Sequence, residues 1–70
     1  MLWWFERDGQ HTRIEVLQPP AGQYELHIFN PDGTERVEHF DDLGALRARQ
    51  QDVHDVLIAT GWKRSGEWLL

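Results

Sequence analysis

The side chains with chemical potential in this 70-residue chain are four histidines, twelve carboxylates, a single serine and an excess of tryptophan. Their spacing decides what each can do. His27 and Glu25 stand two apart, so on a strand they share a face, where Glu38 or His39 of a following strand can approach them. A histidine-carboxylate cluster is the raw material of a metal site or of an acid-base pair. Solvated cross-strand His-Glu and Arg-Glu contacts are the commoner outcome of such spacing, so the expectation is no metal and no cofactor. His11 falls near a turn and His54 on the boundary of a helix, neither with a partner legible in the sequence.

No nucleophile or paired-acid arrangement is recognisable. Ser65 stands in Arg64-Ser65-Gly66, without an elbow motif or a base at a known spacing. Thr34 and Thr60 suit a strand start and a helix end. Asp41 and Asp42 are adjacent and precede an apolar periodic run, which suits helix capping better than general acid-base work. The chain therefore reads as non-enzymatic, and the cavity an enzyme needs is hard to build from so few residues.

Seven Lys and Arg against twelve Asp and Glu leave a formal charge of −5, which repels polyphosphate and anionic lipid. Nucleic acid and membrane are therefore disfavoured as partners. With no cysteine there is neither a disulfide nor a thiolate-held zinc, and a domain this small buries only roughly 60% of the surface its unfolded chain exposes. Self-association is the remaining way to add buried surface. Met1 to Phe5 is apolar but short and without a basic leader, so it reads as neither a signal peptide nor a membrane span. The chain is taken as complete, and the cytoplasm is the expected compartment.

The elements that must position these residues follow from the turn residues. Leu2 to Arg7 reads as a strand, Asp8-Gly9 as a tight hairpin turn, and Thr12 to Gln18 as a second strand. A two-residue loop sets Trp3 and Phe5 opposite Ile14 and Thr12, and turns Leu2 and Trp4 the other way. A bulge would exchange the two sets. Pro19-Pro20-Ala21-Gly22 ends the second strand, and Gln23 to Phe29 forms a third with Tyr24, Leu26 and Ile28 inward.

Asn30-Pro31-Asp32-Gly33 is a type I turn with a left-handed glycine. Its register is open: a bulged three-residue loop puts Phe40 in the core, whereas two or four residues put Val37 and His39 there. The expectation adopted is Val37 inward, with Phe40 leaving the sheet as a hydrophobic staple. An amphipathic helix of four to five turns follows from Asp41 or Asp42, with Leu43, Leu46, Val53, Val56 and Leu57 as its apolar side. Gly61 should end it as a left-handed cap, with Trp62 packing back on Leu57. Trp68, Leu69 and Leu70 should dock, either as a short fifth strand at the sheet edge or across a neighbouring subunit.

The fold expected is thus α+β: a four-stranded antiparallel meander followed by one helix on one face, in a single domain spanning residues 1–70. One helix covers one side of a sheet. Leu2, Trp3 or Trp4, Leu17 and Phe29 are left on the other side among His11, Arg13, Glu15, Glu25 and His27, with Trp68 from the tail. These residues form the expected interface of a homodimer, through that face or through an edge strand, since tryptophans anchor interfaces and symmetric dimers are the commonest assembly.

With Trp3-Trp4-Phe5, Asn30-Pro31-Asp32-Gly33, Phe40-Asp41-Asp42-Leu43 and Thr60-Gly61-Trp62 in order, the chain resembles small bacterial proteins of unassigned activity built as four strands and a helix. Its element order is also similar to that of Whirly-type and transcriptional-coactivator single-strand DNA-binding domains. That resemblance implies a dimer and an exposed aromatic sheet face. The leading expectation is an interaction or structural module whose partner is a second copy or another protein. A single-stranded nucleic-acid-binding or transcription-associated domain is the alternative, and a small metal-dependent enzyme centred on His27 is the third reading.

Overall fold

The computed structural model describes residues 1–20 and 22–68, the Trp68 side chain apart. The docking expected of Leu69 and Leu70 lies outside the described residues, as does the side chain of Trp68. The elements are β1 (Leu2–Arg7), β2 (Gln10–Leu17), β3 (Tyr24–Phe29), β4 (Glu35–Phe40), α1 (Leu43–Ala59) and β5 (Lys63–Trp68). They build one antiparallel sheet in the order β4-β3-β2-β1-β5, with the helix on one side. The class is α+β, but a full strand follows the helix, so the meander of four strands becomes a sheet of five.

The first two hairpins follow their turn chemistry. Asp8 and Gly9 both take positive φ (51° and 76°), which is the two-residue turn that matches strand twist. It fixes Trp3 opposite Ile14 and Phe5 opposite Thr12. β2 and β3 then pair Ile14 with Ile28 and Val16 with Leu26, so the inward residues of three strands meet on one side.

The third hairpin departs from expectation. Gly33, at φ 87°, closes a type I turn by donating to the Asn30 carbonyl (3.0 Å), and Asn30 donates to Thr34 O (2.8 Å). The Asp32 carboxylate accepts from both the backbone N–H and the hydroxyl of Thr34 and steadies the bend. The loop therefore holds three residues, and its odd length carries Phe40 to the core side beside Tyr24 while Val37 and His39 face away. Val37 is 38% exposed and Phe40 packs against the core, the reverse of the expected arrangement.

The helix starts where the acids placed it. Asp42 is the N-cap, its carboxylate accepting from the Ala45 N–H at 3.1 Å. Its end is a Schellman motif: Gly61 takes φ 93°, Trp62 N–H reaches Leu57 O (2.9 Å) and Gly61 N–H reaches Ile58 O (3.2 Å). Leu46 and Val53 are buried and Leu57 packs on the core, whereas Leu43 (40% exposed) and Val56 (60%) stay in water. At about 3.6 residues per turn these two sit on the shoulders of the apolar stripe, outside the width one sheet face covers.

The Gly61 turn reverses the chain so that β5 pairs antiparallel with β1, Leu2 opposite Trp68 and Trp4 opposite Gly66. Ser65 is the extra residue of a bulge, because the register passes from Gly66 opposite Trp4 to Arg64 opposite Phe5. β1 is consequently interior. The core is Trp3, Phe5, Ile14, Leu26, Leu46, Val53 and Trp62, with Thr12 as its buried polar member. Each large side chain so buried contributes about 1.5–3 kcal/mol. Trp3, expected as an interface residue in one of two registers, is 6% exposed on the helix side and is a core residue. No helix among the described residues is long and apolar enough to cross a membrane.

Candidate interaction surface

On the side away from the helix, strand pairing lays the side chains out in rows. One row crosses the whole sheet: Gly66, Trp4, Arg13, Phe29 and Glu35, each directly opposite the next. The neighbouring row holds Leu2, Glu15, His27 and Val37, and beyond it stand Leu17, Glu25 and His39. Leu2, Trp4, Leu17 and Phe29 are thus brought onto one face, all half-buried.

Packing within the long row explains that half-burial. A β-carbon at position 66 would stand 3.1 Å from Cε3 of Trp4, so Gly66 is the gap into which the indole lies. The Arg13 guanidinium carbon sits 4.0 Å above the centre of the Phe29 ring, a cation-π contact in which the arginine stem also shields the aromatic face. Arg13 has no carboxylate within 4 Å among the described residues, and its buried Nε has no hydrogen-bond partner. The Phe29 ring below is the contact its charge makes.

Beside this row lies a histidine-carboxylate cluster. His27 Nε2 is 2.8 Å from Glu25 Oε1, His27 Nδ1 is 3.6 Å from Glu35 Oε2, and His39 Nε2 is 3.8 Å from Glu25 Oε2. The ring of His27 stacks on Phe29 at 6.2 Å. The hydrogen bond to Glu25 is the main cause that raises the His27 pKa above the usual histidine value, with Glu35 adding to it and burial opposing it. Of the two approaches expected from β4, that of His39 is present and that of Glu38 is not, because Glu38 points to the helix side. Glu35 was missed in the sequence, since its place beside His27 depends on the loop of three. Among the described residues no group of three or more His, Asp or Glu is arranged to hold a metal ion.

Three of the seven basic side chains are engaged away from this face. Arg49 and Arg36 both take Glu38, and Arg7 donates to the Thr60 carbonyl at 2.7 Å while lying over the Trp62 ring. His54 meets Phe5 edge-on at 5.6 Å, at a hollow of about 160 Å³ between the helix and β1 that Arg64 also lines. His11 is exposed beside the first turn. Ser65 lies exposed in the β5 bulge, and the Thr60 hydroxyl bonds back to the Val56 carbonyl at the helix end. No protein-family model, curated protein or solved structure matches this chain.

Proposed function

We propose that the chain is a small non-catalytic interaction module that works as a homodimer, contacting its second copy through the helix-free side of the sheet or through an edge strand. The observation that carries this reading is the row of Trp4, Arg13 and Phe29, with Leu2 and Leu17 close by, on a face that no element among the described residues covers. Surfaces of this composition, aromatic and arginine with a polar rim, are those that bind protein. Arg7 and Arg49 are tied within the fold, and this favours a protein over a polyphosphate as partner. The mixed charge of the face, with Arg13 among Glu15, Glu25 and Glu35, suits a self-complementary contact.

Light scattering tests the reading: a mass that rises to a dimer with concentration supports it, and a strict monomer at high concentration overturns it. Titration of tryptophan fluorescence with single-stranded oligonucleotide at low salt separates the nucleic-acid alternative, for which the expected result is no change.

A further inference from the structure

β4 is an edge strand, and its outward backbone groups can be identified. Asn30 and Thr34 form the hydrogen-bonded pair that closes the third hairpin. Antiparallel ladders alternate bonded and non-bonded pairs, and the register runs Phe29 opposite Glu35, Ile28 opposite Arg36 and His27 opposite Val37. Arg36, Glu38 and Phe40 therefore turn their N–H and C=O groups toward β3, while Glu35, Val37 and His39 turn theirs off the sheet.

The side chains along that edge read as a charge mirror: Glu35, Arg36, Val37, Glu38, His39. Laid antiparallel on a second copy about Val37, the strand sets Val37 on Val37, Arg36 on Glu38 and Glu35 on His39, the last two matches occurring twice by symmetry. Moving the centre by one residue sets Arg36 on Arg36 or Glu38 on Glu38, which like charges directly opposite disfavour. The Val37-centred register also places every outward backbone group of Glu35, Val37 and His39 at a hydrogen-bonded pair. Ladder phase admits a centre at Arg36, Val37 or Glu38, and charge selects Val37, the one centre that also pairs all three outward residues within the strand.

We infer that two copies join through their β4 edges, antiparallel about Val37, into one continuous ten-stranded sheet with both helices on the same side. This rests on the homodimer reading above and assigns its contact to the β4 edge, where Glu35, Val37 and His39 project, leaving the row of Trp4, Arg13 and Phe29 open. The 38%-exposed Val37 is covered in the process. β4 has neither proline nor bulge, and its guard against promiscuous pairing is charge alone, in Arg36 and the inward Glu38, whereas the opposite edge, β5, carries the Ser65 bulge that twists a strand away from pairing. The mirrored charges admit a second copy of this strand and penalise others.

Two variants test the contact. Because the chain has no cysteine, Val37→Cys introduces a single thiol, and the two Cα atoms of a hydrogen-bonded antiparallel pair lie about 5.5 Å apart, within disulfide range. Mild oxidation is expected to give a covalent dimer from Val37→Cys and none from Leu17→Cys, on the same face but away from the edge. Val37→Pro blocks the edge while sparing the β3 ladder, because the Val37 N–H points off the sheet. It is expected to be a monomer with an unchanged circular dichroism spectrum. A dimeric wild type whose Val37→Pro variant stays dimeric, or whose Val37→Cys variant does not cross-link, overturns the edge contact and leaves self-association standing. A wild type that is monomeric at every concentration overturns both.

Discussion

Arg49 grips Glu38 with both prongs of its guanidinium, Nε to Oε1 at 2.7 Å and Nη2 to Oε2 at 3.0 Å. This is a charged tie between the helix and β4, and Arg36 Nε reaches the same carboxylate at 3.0 Å. Glu38 lies on the core side of an edge strand, where a carboxylate without its arginine would be costly.

Removing the tie should loosen β4. Glu38→Gln is expected to cost about 1–2 kcal/mol, since a charged fork is strong but the Arg49 side chain stands partly in water. Arg49→Lys should lose part of this, because an ammonium cannot reproduce the planar fork. Urea denaturation of the two variants checks both values. The Arg49 bond holds the Glu38 pKa below the usual carboxylate range. Its stabilising contribution is therefore complete at neutral pH and is lost as the pH falls from the unfolded glutamate value through the lower folded one. Glu38→Gln should abolish that share of the acid sensitivity.

His27 should titrate late. With its pKa raised by Glu25 and Glu35, the protonated form is stabilised by folding: the contribution is present below the ordinary histidine pKa and is lost as the pH rises through the higher folded value. Nuclear magnetic resonance of the ring protons is expected to give a midpoint above that of an unperturbed histidine. Glu25→Gln should bring it down, and an unshifted midpoint in both proteins would contradict the cluster.

The two adjacent aspartates should behave differently. Asp42→Ala removes the acceptor of the Ala45 N–H and is expected to cost about 1 kcal/mol. Asp41 accepts from Gln23 Nε2 at 2.8 Å in an exposed position, so Asp41→Ala should stay within about 0.5 kcal/mol of the parent. Thermal unfolding followed by circular dichroism resolves the pair.

What the sequence could and could not reveal follows from parity. The second hairpin was legible because alternation in Thr12, Ile14 and Val16 and in Tyr24, Leu26 and Ile28 leaves one register that joins the apolar sets, whereas the first stayed open between two registers until the two-residue turn at Asp8-Gly9 fixed it. The third was not legible, because Val37 and Phe40 are three apart and cannot share a strand face. Asn30-Pro31-Asp32-Gly33 serves loops of either parity, and only the Asn30–Thr34 bond decides.

β5 was open as a strand or a swapped tail because Lys63-Arg64-Ser65-Gly66-Glu67 has no apolar alternation. It is held by pairing to β1 and by the Trp4 indole over Gly66. Leu43 and Val56 have helical spacing, but the width of sheet beneath the helix sets which of them is covered. On the open face Leu17 and Phe29 were legible from alternation, while the choice of Trp4 over Trp3 waited on the register of the first hairpin. The Arg13–Phe29 contact and the place of Glu35 were not legible, since both depend on cross-strand register.

Sedimentation equilibrium of the unmodified chain is the most direct test of self-association. The account predicts a weight-average mass climbing toward twice the 8.3 kDa of the chain as concentration rises. A mass of 8.3 kDa across the whole range would contradict it.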